Sequence, residues 1–216
     1  MVKKQGAKRR PWNKGLEVGK KGAFTPAQVK RIRQVLMAHG ASGLRDLALF
    51  QVAIDTMLHG SDLFNLTVKE VQLPNGKIRS VIKVARRGAM PPVRCAFSKT
   101  TASALGKWIA VSRKKRADYL FPGRGTSSPR PMGVRHMNRL LKFWIAEAGL
   151  DPKNYGNESL RRTKALHILR ARNLKTKAFP QDRFWQTPSA RRCAAAAPAA
   201  ARAPRAATPP LNQQFL

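Results

Sequence analysis

The side chains with chemistry to offer in this sequence are overwhelmingly cations. Lysine and arginine number 43 against 10 aspartates and glutamates, a formal net charge of +33. Solubility does not require such a surplus; it calls for a polyanionic partner, nucleic acid before any other. The cations are grouped. Arg9, Arg10, Lys14, Lys20 and Lys21 crowd the first residues, where Glu17 is the sole acid. Arg86 and Arg87 flank a short Gly/Pro loop, Arg113-Lys114-Lys115-Arg116 is an unbroken run, and Arg161-Arg162 with Lys164 follows Glu158. Guanidinium suits phosphate because its fork donates parallel hydrogen bonds and never titrates.

Other chemistries find little support. The four histidines (39, 59, 136 and 167) have no metal-ligand spacing with one another or with Cys95 and Cys193, so neither metal nor cofactor is expected. Gly123-Arg124-Gly125 matches no phosphate loop, and no Gly-x-Ser-x-Gly elbow is present. Tyr119 and Tyr155 are the only tyrosines, and both precede Arg161. Two cysteines make no disulfide framework, which suits a reducing cytosol. No apolar run approaches the roughly 20 residues of a membrane span, and no apolar stretch follows the basic start as in a secretory signal. The expectation is a protein without membrane association or small-molecule substrate.

These groups need elements to position them. Hydrophobic residues make up 43% of the chain, enough for a core. Thr25, Pro26 and Gln28 spell a capped helix start, followed by the stripe Val29, Ile32, Val35 and Leu36. The helix is read to end at Gly40, with His39 favouring the dipole at its end. Ser42 is read as the cap of a second helix bearing Leu47, Phe50, Ile54 and Leu58, and Ser61 as the start of a short third through Leu66. The period then changes: Ile78, Ser80, Ile82 and Val84, then Val93, Cys95 and Phe97, alternate as two strands of a small antiparallel sheet. Helical spacing returns after Thr100 or Thr101, again at Met137, Leu140, Leu141, Trp144 and Ala148, and last from near Ser159. His167 is read as a residue of that helix's surface.

Composition divides the chain into three. Residues 1–23 read as a flexible basic arm, 24–177 as the folded domain, and 178–216 as a disordered tail rich in Ala, Pro and Arg. The fold class expected is α+β, mainly helical with a small antiparallel sheet.

Three segments resemble the phage-integrase-type tyrosine recombinases. Residues 43–71, "GLRDLALFQVAIDTMLHGSDLFNLTVKEV", are similar to their first catalytic box. "DYLFPGR" at 118–124 resembles the stretch before their penultimate core helix, and "GLDPKNYGNESLRRTKALHI" at 149–168 their second box. "RPWNKG" at 10–15 resembles the leader of a short, single-domain subgroup. The resemblance implies double-stranded DNA as partner, further recombinase protomers on that DNA, and metal-free breaking and rejoining of strands in a bacterial cytoplasm. In that chemistry a tyrosine forms a phosphotyrosyl link while two arginines hold the phosphate oxygens, placing positive charge where negative charge develops.

Carried onto this sequence, the resemblance gives a damaged site. Arg161 stands where the second-box arginine belongs, with Arg162 and Lys164 beside it as nucleic-acid contacts. His59 follows Thr56-Met57-Leu58 where the first arginine belongs, and Glu158 replaces a histidine. The sheet-turn lysine falls at Arg86 or Arg87. No tyrosine follows Arg161, and the resemblance stops near Lys177 or Ala178, as a change of reading frame would leave it. Trp185, near a family histidine-or-tryptophan position, lies in sequence that no longer resembles the family. The reading is a DNA-binding member of the recombination class with impaired catalysis. An active recombinase borrowing a tyrosine from another protomer, and a basic structural nucleic-acid-binding protein, are the alternatives.

Overall fold

A computed structural model describes residues 21–85, 91–123 and 130–171. Its elements are α1 (Pro26–Ala38), α2 (Gly40–Thr56), α3 (Gly60–Phe64), α4 (Val68–Val71), β1 (Val81–Val84), β2 (Val93–Ala96), α5 (Lys99–Ser112), α6 (Val134–Glu147) and α7 (Asn157–Ala171), with a 3₁₀ turn at Pro152–Asn154 before α7. The class is α+β, as the residue periods require.

Helix α2 is the hub. Leu47, Ala48, Leu49, Phe50, Val52 and Ala53 are all buried, because α1, α5 and α7 pack against it. Phe50 lies edge-on to Trp144 of α6, ring centroids 6.1 Å apart, and Trp144 is fully buried. A buried indole needs a partner for its N–H; here Nε1 donates to Asp46 Oδ2 at 3.0 Å. Arg45 holds the other carboxylate oxygen at 2.8 Å. Trp144→Phe is therefore expected to destabilise the fold by about 1–3 kcal/mol, because a buried carboxylate oxygen loses its donor. A urea-unfolding midpoint measured beside the parent checks it.

Several helix starts differ from the sequence reading for local reasons. The Thr25–Gln28 capping box forms as expected, with Pro26 at the first helical position. Helix α2, however, starts at Gly40, whose own backbone is left-handed (φ +57°), and Ser42 caps nothing: its hydroxyl donates to His39 O at 2.8 Å. His39 does end α1, but its ring pairs with Glu147 Oε2 at 3.0 Å, tying the α1–α2 corner to α6. Helix α3 begins at Gly60, one residue before Ser61. Helix α5 begins at Lys99, because Ser98 reaches the Thr101 N–H at 3.3 Å before either threonine can cap. Helix α7 begins at Asn157, two residues before Ser159.

The hairpin is shorter than its alternation suggests. Regular antiparallel pairing runs from Val81↔Ala96 through Ile82↔Cys95 and Lys83↔Arg94 to Val84↔Val93, while Ile78 bridges Gln72 instead. Ile82, Val84 and Cys95 face the core; Lys83 and Arg94 face solvent. The hairpin is moored to the end of α2: Cys95 Sγ donates to Thr56 O at 3.7 Å, and the Ser98 N–H to Asp55 Oδ2 at 2.7 Å. Among the described residues no helix is long and apolar enough to cross a membrane.

Candidate active site

The two boxes meet where α2 ends. Thr56 is buried and its hydroxyl donates to Val52 O at 2.7 Å, while Leu58 N–H donates back to Thr56 Oγ1 at 3.4 Å. This folds the chain tightly, and Met57 takes the left-handed conformation (φ 52°) that ends the helix. His59 then emerges extended and exposed as the residue capping α3, and its carbonyl accepts from the N–H groups of Asp62 and Leu63, both at 2.9 Å.

Helix α7 delivers the second box to the same corner. Its first turn is fixed by an exchange in which Gly156 N–H donates to Ser159 Oγ at 3.0 Å and Ser159 N–H donates to Gly156 O at 2.8 Å. From there two side chains one turn apart grip the carbonyl end of α2. Arg161 Nε donates to Met57 O at 3.2 Å, and Lys164 Nζ donates to Asp55 O at 2.6 Å. A helix C-terminus leaves carbonyls unsatisfied and carries partial negative charge, so two cations are apt partners. Burial lowers the Lys164 pKa below its ordinary value, an effect that Asp55 and Cys95 oppose. Burial likewise pushes the Cys95 thiol up to about 12, with the Lys164 charge pulling the other way.

The guanidinium of Arg161 also meets Glu158, its neighbour three residues back. Nη1 donates to Oε1 at 3.0 Å and to Oε2 at 2.8 Å. Arg161 and Glu158 thus form one ion pair.

The other side of α7 holds the chain entering the domain. Arg162 Nη1 donates to Lys21 O at 2.6 Å, Phe24 N–H donates to Thr163 Oγ1 at 3.1 Å, and a ring nitrogen of His167 bonds Phe24 O at 2.9 Å. Lys21 Nζ reaches Lys153 O. His167 is therefore half-buried and engaged with Phe24, where the sequence reading had it on the surface. Tyr155 packs on the chain entering the domain: its ring stacks on Phe24 with centroids 4.4 Å apart, and its hydroxyl accepts from Gln28 Nε2 at 2.9 Å. Tyr119 pairs with Thr67 through an isolated antiparallel bridge.

The structure thus brings His59, Glu158, Arg161 and Lys164 to one corner and places Arg162 and Lys21 together on the adjoining flank. Arg86 and Arg87, the arm residues Arg9, Arg10, Lys14 and Lys20, Trp185 and the tail lie outside the described residues. Lys164, read as a nucleic-acid contact, has an internal carbonyl partner that no sequence pattern announced. Among the described residues no group of three or more His, Cys, Asp or Glu side chains is placed to hold a metal ion.

This geometry has relatives. The sequence of residues 23–176 matches the Phage integrase family. Tyrosine recombinase XerC of Vibrio parahaemolyticus serotype O3:K6 (strain RIMD 2210633) is 26% identical over 133 residues, 60% of this chain and 40% of the relative. The XerC of Vibrio campbellii (strain ATCC BAA-1116) matches to the same extent. The aligned part thus spans about two-fifths of the relatives' length. Among solved structures, the XerA recombinase superposes with a TM-score of 0.57 at 22% identity, covering 76% of this chain and 55% of that one. The XerH site-specific recombinase in a pre-cleavage complex with its difH substrate gives 0.56 at 16%, covering 70% and 43%. At these identities the superpositions speak for the fold. The family match adds the lineage, since it takes in both boxes, the hairpin between them and the helices that carry them: the chain belongs to the phage integrase family of tyrosine recombinases.

Proposed function

We propose that this chain binds double-stranded DNA through its recombinase core and is impaired in strand cleavage. The observation that carries the reading is the state of Arg161. It is kept at the junction of the two boxes, yet its guanidinium is neutralised by Glu158 at 2.8–3.0 Å, and the first-arginine position offers the single imidazole of His59. A lone imidazole gives one donor where a fork gives two. Both tyrosines of the sequence serve packing or bridging, and none follows Arg161. Among the described residues no tyrosine is placed as a nucleophile beside Arg161, and a missing nucleophile is a larger loss than a slowed step.

DNA binding is supported by charge and by placement. Helix α6 carries Arg135, Arg139 and Lys142 at helical spacing, all exposed. The XerH structure and that of the Tn1549 transposon integrase hold DNA in their own complexes. In this reading the basic arm and the hairpin arginines Arg86 and Arg87 add backbone contacts to the same duplex. Such contacts give affinity that falls by orders of magnitude between roughly 50 and 200 mM salt.

The test combines a mobility shift with a trap. A nicked duplex that allows cleavage but not religation is incubated with the protein and resolved under denaturing conditions. The expected result is a salt-sensitive shift with no detergent-resistant protein–DNA adduct. A covalent adduct would overturn the impairment and favour a tyrosine lent by another protomer. A shift that ignores duplex sequence altogether would favour a basic structural protein.

A further inference from the structure

Glu158 does more than leave a gap where a histidine is expected. Its two carboxylate oxygens lie 3.0 and 2.8 Å from a single nitrogen, Arg161 Nη1, so an anion already sits on a guanidinium, the group suited to phosphodiester oxygens. The pair is local to α7, three residues apart, so it forms without help from another element. Glu158 also lies in the first turn of α7, where the helix dipole favours a negative group. The glutamate side chain is 49% exposed and the arginine 22%. An exposed pair of this kind is weak enough for a competing anion to open. A phosphate that did so would then face the displaced carboxylate on the same guanidinium.

We propose that Glu158 is a specificity-determining residue, an internal anion that occupies Arg161 in place of a DNA phosphate. The chain then binds duplex through the surrounding cations while its retained arginine stays out of the contact. This rests on the DNA-binding reading above and adds to it a residue that sets which phosphate contact is withheld.

The experiment measures duplex affinity against salt for the full chain, for Glu158→Gln, for Arg161→Gln and for the double variant. Glu147→Gln, the same change of charge outside the site, serves as control. Glu158→Gln is expected to tighten binding about three- to ten-fold near 50 mM salt and to steepen the log–log salt slope by about one, the signature of one recovered phosphate contact. Arg161→Gln should abolish the gain in the Glu158→Gln background, the coupling that a double-mutant cycle isolates. Glu147→Gln should give less than about a twofold change. An unchanged affinity and slope in Glu158→Gln overturns the proposal and leaves DNA binding standing. So does a gain equalled by Glu147→Gln, or a gain that survives in the double variant. If Arg161→Gln does not fold, the comparison of Glu158→Gln with Glu147→Gln decides. Absence of duplex binding in every variant overturns the DNA-binding reading and this proposal with it.

Discussion

Gly43→Ala is expected to destabilise the domain by about 3 kcal/mol and to lower its melting temperature by roughly 6–12 °C. A Cβ at Gly43 would lie 2.0 Å from Leu36 O and 2.8 Å from the Cβ of His39. Neither is the free end of a flexible side chain. Leu36 O belongs to the backbone of α1, and the Leu36 side chain is fully buried, so the carbonyl has nowhere to retreat. The glycine is there because α1 and α2 approach too closely for any side chain at that point, and α2 carries the first box at its far end. Gly106→Ala is the contrast within α5. Its Cβ would meet only Ile78 Cγ1 at 3.9 Å, so the ordinary helix preference for alanine should make it neutral or stabilising by up to about 1 kcal/mol. Thermal unfolding followed by far-ultraviolet circular dichroism reads both. A Gly43→Ala protein melting within about 2 °C of the parent would mean that the α1–α2 crossing is looser than described.

That crossing also marks the limit of what the sequence shows. The Thr25–Gln28 box is a pattern of side chains bonding backbone three residues away, so it can be read from spacing and forms as read. The start of α2 is different. No side chain caps it; the break comes from backbone conformation at Gly40, while Ser42 sits inside the first turn with its hydroxyl turned back to His39 O. Strand period was legible for the same reason as the capping box. The strand's true end was not, because it depends on Ile78 finding Gln72 outside the hairpin. The site divides along the same line. Arg161, Glu158 and His59 are named by motif order, whereas the Glu158–Arg161 pair becomes visible only in the folded molecule. What Lys164, Arg162 and His167 bind is backbone carbonyl, of Asp55, Lys21 and Phe24. A carbonyl has no identity in a sequence, so these three cross-chain grips become visible only in the folded molecule.

Lys164 supplies the second large expected effect, because its grip can be read by pH. Lys164→Met and Cys95→Ala should tilt the alkaline stability profile in opposite directions. Burial holds the folded Lys164 pKa below 10.5, so the folded state releases that proton before the unfolded state does. In that window the unfolded chain binds more protons, and stability rises with pH. Cys95 works the other way. Its folded value of about 12 lies above the ordinary 9.0, so above pH 9 the unfolded thiol ionises while the buried one does not. Stability then falls with pH from this group, by on the order of 1 kcal/mol at pH 10. Removing Cys95 leaves the rising contribution and removing Lys164 leaves the falling one, and comparison with the parent cancels the titration common to all three. Urea midpoints at pH 8, 9 and 10 give the slopes. A Lys164→Met profile parallel to the parent would mean that Nζ is not held at the Asp55 carbonyl. Because Arg161 and Lys164 take adjacent hold of the end of α2, that result would also mean a weaker hold of Arg161 on the Met57 carbonyl.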